Sequence, residues 1–84
     1  MNTLNSSETR STLSDTVTRV TEDYLTALGG DDATNLYRQV VDEVEKPLLD
    51  VIMSHTRGNQ SKAAICLGIN RATLRSKLKR HGMM

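Results

Sequence analysis

NQSKAAICLGINRATLRSKLKR, residues 59–80, holds two short helical patterns on either side of a three-residue gap. In the first, Gln60 to Leu67, the residues Ala63, Ala64 and Leu67 share one side. In the second, Arg71 to Arg80, Leu74 and Leu78 form the apolar stripe. Helices that cross steeply need a small residue where they touch, and Ala64 supplies it. The tight turn needs a residue that tolerates positive φ, and Gly68 supplies that. Ile69 is placed to plug the corner between the helices, and Asn70 is a good N-cap for the second. The spacing therefore predicts a helix-turn-helix unit over residues 57–84.

Charge singles out the same segment. Residues 1–50 carry four basic groups against ten acidic ones, whereas residues 51–84 carry seven basic groups and no acid. The overall balance of +1 conceals this division. A folded, acid-free cationic segment points to a polyanionic partner, double-stranded DNA first among them. With Leu74 and Leu78 inward, the second helix presents Ala72, Thr73, Ser76 and Arg80, flanked by Arg71, Arg75, Lys77 and Lys79. That surface has the width and charge for a major groove. Arginine is shaped to chelate a guanine edge and asparagine to pair with adenine, while threonine, serine and lysine suit phosphate.

N-terminal to the motif, two amphipathic stripes precede it. Leu13, Val17, Val20, Tyr24 and Leu28 recur at helical spacing, with Thr12 and Asp15 placed for a capping box and Gly29-Gly30 for a stop. A longer stripe follows in Leu36, Val40, Val41, Val44, Leu48, Val51, Ile52 and His55, and Arg57-Gly58-Asn59 ends it. Asp31 and Asp32 put negative charge near the start of this second helix. Pro47 lies inside it, and because the period continues through the proline, a single kinked helix is expected. The first eleven residues are polar and aperiodic and read as a disordered tail.

A chain of 84 residues with no Phe or Trp and two Tyr has little with which to fill a core. At this length about 60–65% of the unfolded surface is buried, and a lone Cys66 forms no intrachain disulfide. The stripes over residues 12–56 are accordingly expected to form a shared core in an obligate homodimer. The fold class expected is all-α: a homodimeric helical bundle with a C-terminal helix-turn-helix. The residues expected at the dimer contact are Leu13, Val17, Val20, Tyr24, Leu28, Leu36, Val40, Val44, Leu48 and Ile52.

The run from Leu36 to Met84, LYRQVVDEVEKPLLDVIMSHTRGNQSKAAICLGINRATLRSKLKRHGMM, resembles the bacterial Fis family, named for the factor for inversion stimulation. The motif alone also resembles the C-terminal domains of NtrC-type activators; the EVEKPLLD run and a chain read as free-standing from Met1 favour Fis. From Leu13 onward the match is gapless. The resemblance implies a homodimer whose first two helices intertwine, with a helix-turn-helix at each end. It also implies a separation between the two units shorter than the groove repeat, so that DNA is bent. Carried over by position, Asn70 and Arg71 become the base contacts. Asn59, Gln60, Ser61, Thr73, Arg75 and Lys77 become phosphate contacts, with Arg57, Lys62, Lys79 and Arg80 as supporting cations. Pro47 matches the family's proline. Ser76 stands where enterobacterial members have lysine, which removes one DNA-facing charge. Eleven polar residues without a hairpin signal leave little room for the arm with which better-studied members touch DNA invertases.

The implied role is DNA binding and bending in nucleoid organisation and transcriptional regulation, in the cytoplasm, with RNA polymerase or other transcription proteins as further partners. An NtrC-type co-regulator with fewer sites, or a helical protein-interaction module, are the alternatives. No membrane span is expected, since no apolar run nears the roughly 18 residues required. Neither an enzyme nor a cofactor is expected, because no catalytic triad or phosphate loop is visible. His55 and His81 have no Cys or carboxylate at ligand spacing, so no metal is expected. Cys66 reads as a small core residue.

Overall fold

The computed structural model describes residues 12–84, and their regular structure is entirely helical: α1 (Leu13–Leu28), α2 (Leu36–His55), α3 (Gln60–Leu67) and α4 (Arg71–Arg80). The expected N-terminal tail lies outside these residues. The chain divides into two units, Met1–Val40 and Val41–Met84, with α2 running from one into the other.

In the first unit, α1 starts at Thr12, whose Oγ1 accepts a hydrogen bond from the Asp15 backbone N–H at 3.0 Å. It stops at Gly29, which takes the left-handed conformation and closes on the Thr26 carbonyl. No residue of α1 is fully buried, and Leu13 is 68% exposed. An amphipathic helix that leaves its stripe half in water lacks most of the burial that stabilises such helices. The start of α2 departs from expectation. Asp31 and Asp32 lie before Leu36 rather than in its first turn, which holds no acid. Asn35, at φ 60°, leads directly into the helix.

α2 runs unbroken through Pro47 and carries two apolar stripes, where the sequence suggested one. Leu49, Ile52 and Met53 belong to the second unit's core, in which Leu49 is 1% exposed. Val44, Leu48 and Val51 lie on a different side of the helix, and Leu48 and Val51 are exposed. Ile52, expected at the dimer contact, packs against the core of its own chain, and Leu49, absent from the expected stripe, is the leucine that α2 buries. The period alone does not separate two stripes about 100° apart on one helix.

α2 ends in a Schellman-type closure, with the Gly58 N–H donating to the Met53 carbonyl at 2.9 Å. Arg57 occupies the left-handed position at φ 55°, which glycine takes more easily.

The second unit's core consists of Leu49, Ala63, Ala64, Leu74 and Leu78, bordered by Ile52, Met53, Leu67, Ile69 and Met83. Its small residues are where expected: Ala63 and Ala64 are 0% and 4% exposed, allowing α3 and α4 to approach closely. Gly68 supplies the left-handed turn at φ 73°, and Ile69 fills the corner. Beyond α4, Gly82 is left-handed and the Met83 N–H returns to the Leu78 carbonyl at 2.8 Å, folding Met83 onto the core. Cys66 is exposed, against expectation. The reason is angular: with Ala63, Ala64 and Leu67 facing inward, Ile65 and Cys66 fall on the outer side of α3, and Ile65 is 79% exposed.

Candidate nucleic-acid interface

Both motif helices begin at an asparagine. Asn59 Oδ1 accepts from the Lys62 N–H at 3.0 Å and Asn70 Oδ1 accepts from the Ala72 N–H at 2.7 Å. Each cap satisfies a backbone donor that the first helical turn leaves unpaired. The sequence reading gave Asn59 a phosphate contact and missed its cap. For Asn70 the cap engages the carbonyl oxygen, and the side-chain amide N–H groups have no partner among the described residues.

α4 rests on Leu74 and Leu78, which are 0% and 1% exposed. This turns Arg71, Ala72, Thr73, Arg75, Ser76 and Lys79 outward, all of them exposed. Arg71, Arg75 and Lys79 follow one another at every fourth residue along one edge. None of the three has an ion-pair partner among the described residues. Arg75 reaches only the Gln60 side-chain oxygen, at 3.4 Å. Gln60, itself half-buried, and the exposed Ser61 and Lys62 stand in the first turn of α3, and Arg57 precedes them.

The other edge of α4 is different. Lys77 Nζ lies 2.6 Å from Glu45 Oε2, and Arg80 pairs with both Asp42 and Glu45. His81 Nε2 lies 2.9 Å from Glu45 Oε1. Lys77, read as a phosphate contact, and Arg80, read as a supporting cation, are thus held by carboxylates of α2. No spacing rule pairs residues 32 to 38 positions apart, which is why this cluster was invisible in the sequence.

Asp42, Glu45 and His81 also offer three ligand atoms within 4.8 Å of one another, a grouping the sequence did not suggest. Lys77 and Arg80 already neutralise those carboxylates, so the arrangement suits an ion-pair network better than a cation. Partial burial alone would raise the Glu45 carboxyl. Hydrogen bonds from Lys77 and His81, with the charges of Lys77 and Arg80, outweigh it and hold the group below its usual 4.5. A depressed carboxylate stabilises the fold above its unfolded value and loses that contribution as pH falls through the folded one. Glu45→Gln is therefore expected to flatten the acid limb of a stability-versus-pH curve below about pH 4.5, while leaving the shape at neutral pH unchanged. Parallel acid limbs for the two proteins would contradict the coupling.

A cavity of about 440 Å³ lies beside this surface, lined by His55, Thr56, Arg57, Lys62, Ile65 and Cys66. No described helix is long and apolar enough to cross a membrane.

Residues 40–81 match the family described as "Bacterial regulatory protein, Fis family". The chain is 51% identical over 75 residues to the DNA-binding protein Fis of Actinobacillus succinogenes, covering 89% of this chain and 76% of that protein. With the DNA-binding protein Fis of Psychromonas ingrahamii the identity is 55% over 75 residues, with the same coverage of 89% and 76%. The similarity to the DNA-binding protein Fis of Escherichia coli O1:K1 extends further, at 48% over 85 residues, covering 99% of this chain and 87% of that one. The motif built around Leu74 and Leu78 thus sits within a match that spans both of its helices and most of the remaining chain, and the protein belongs to the Fis family of bacterial regulatory proteins.

Proposed function

We infer that this protein is a DNA-binding regulator of the Fis type, working as a homodimer that bends the DNA it holds. The observation that carries the reading is the cationic edge of α4, where Arg71, Arg75 and Lys79 project from a helix fixed by buried leucines and have no acidic partner among the described residues. Such an edge releases counterions when it meets phosphate, and that release drives binding to any duplex. Asn70 and Arg71 begin the same helix and are the residues assigned to base edges. Asn59, Gln60, Ser61, Thr73 and Arg75 are assigned to phosphate, with Arg57, Lys62 and Lys79 alongside. No catalytic step is assigned. The place of action on this reading is the nucleoid, in the cytoplasm, and RNA polymerase is a further partner.

Gel-shift titration against a random duplex tests the core claim, and salt-insensitive binding or none would defeat it. Arg71→Ala is expected to cost about 1–3 kcal/mol on a preferred site and to relax sequence preference. If the loss were equal on every sequence, Arg71 would be a phosphate contact. Genome-wide mapping of bound sites separates a widespread architectural role from the narrower NtrC-type alternative.

Bending follows from two-fold geometry. Successive major grooves on one face of straight DNA are about 34 Å apart. Only Thr56, Arg57 and Gly58 lie between the end of α2 and the Asn59 cap of α3, so each motif is held close to the helix that would form the dimer. Two units closer than the groove repeat reach both grooves only if the DNA curves and its central minor groove narrows. Narrowing is easiest in A/T-rich sequence, and the deformation costs about 1–6 kcal/mol. Circular-permutation gel shifts are expected to show mobility that varies with site position, together with weaker binding when the centre is G/C-rich. Uniform mobility with no G/C penalty would mean that the dimer docks on straight DNA.

A further inference from the structure

The two edges of α4 carry similar numbers of cations and face opposite electrostatic circumstances. Along one, Arg71, Arg75 and Lys79 have no carboxylate within reach among the described residues. Along the other, Lys77 and Arg80 share Asp42 and Glu45 of α2, and His81 joins Glu45. The Glu45 side chain is 13% exposed and that of His81 8%, so this contact is largely removed from water. Interactions of this kind are screened less than those at an open surface. A phosphate approaching Lys77 would have to displace a carboxylate at 2.6 Å and meet the repulsion of the acid left behind. A phosphate approaching Lys79 displaces only water and salt.

We propose that Glu45, assisted by Asp42, is a positioning residue for the DNA-reading helix: it ties Lys77, Arg80 and His81 to α2, leaving Arg71, Arg75 and Lys79 as the edge of α4 that follows a DNA strand. The proposal rests on the DNA-binding reading above. It corrects the assignment of Lys77 and Arg80 carried over from the family resemblance, making them internal ties. It also explains how a helix with cations on both edges adopts one roll angle in a groove. With both edges charged and unpaired, phosphates of either strand would compete for the helix. Neutralising one edge removes that ambiguity and favours the orientation in which Asn70 and Arg71 meet the bases.

The test is the salt dependence of binding by the full chain, read by fluorescence anisotropy on a preferred duplex and a random one. Each phosphate contact contributes about 0.9 to the slope of log K against log salt concentration. Lys79→Met and Arg75→Met are expected to reduce the slope by about one unit per protomer, whereas Lys77→Met and Arg80→Met leave it unchanged. Glu45→Gln frees the second edge. It should steepen the slope, tighten the random duplex and shrink the ratio between preferred and random sites, while Glu45→Asp restores that ratio at least in part. Thermal melts of each variant, followed by circular dichroism, identify any that lose the fold, and the Lys77 and Arg80 variants then decide the matter without Glu45. A slope loss in Lys77→Met equal to that in Lys79→Met overturns the proposal, as does a folded Glu45→Gln protein with unchanged slope and discrimination. Absence of salt-sensitive binding by the unaltered protein would instead remove the DNA-binding reading itself, and the proposal with it.

Discussion

Leu74→Ala is expected to destabilise the C-terminal unit by about 2–5 kcal/mol, enough to unfold it in a chain of this size and to abolish DNA binding with it. Leu74 is 0% exposed and is one of five buried side chains among the described residues, two of which are alanines. Alanine neighbours have no reach with which to close the cavity a lost isobutyl group leaves, so the penalty belongs at the upper end of the range. The helices themselves offer no reserve. α3 has 8 residues and α4 has 10, both below the length at which isolated helices persist in water. Urea denaturation followed by far-ultraviolet circular dichroism checks the magnitude. Leu74→Met, which nearly conserves volume, should cost less than about 1.5 kcal/mol. Equal stability of the alanine and methionine variants would show that α4 is not held by this core.

The helix-turn-helix was legible in the sequence because its determinants are local. Gly68, Asn70, Leu74 and Leu78 act within a few residues of where they stand, and each takes the conformation or burial that its neighbours imply. Leu49 was missed because α2 serves two surfaces, and a single helical period spreads both over a broad apolar arc. Cys66 is exposed because its angle on α3, not its apolar character, sets the side it faces. The pairing of Lys77 and Arg80 with α2 is a tertiary fact: local spacing placed both on the cationic helix but carried no information on which edge faced a carboxylate. The exposed edge of the site could be read from the sequence in composition, and only the fold divides it in two.

Val44→Asp is expected to abolish dimerisation and, with it, tight DNA binding. Val44, Leu48 and Val51 share one side of α2. In a single protomer Val51 is 68% exposed and Leu48 49%, while Val44 is half-buried. An apolar stripe of that length exposed on one helix of an 84-residue chain is a surface awaiting a partner. On the dimeric reading proposed above, that partner is a second copy, because a two-fold contact sets the same stripe against itself. A carboxylate at Val44 would then enter an apolar interface twice per dimer, each time at a cost of several kcal/mol unless it becomes protonated. Sedimentation at micromolar concentration is expected to give twice the protomer mass for the unaltered protein and for Glu43→Gln, which lies off the stripe. Val44→Asp should sediment as a monomer with reduced helicity, since α1, with no fully buried residue, has little else to hold it. A folded monomer in the unaltered protein would refute the dimer, whereas a Val44→Asp dimer would move the contact to another face. Because DNA affinity combines two motifs on the dimeric reading, the dissociated variant should also lose about half of its salt slope, which anisotropy titration reads independently of mass.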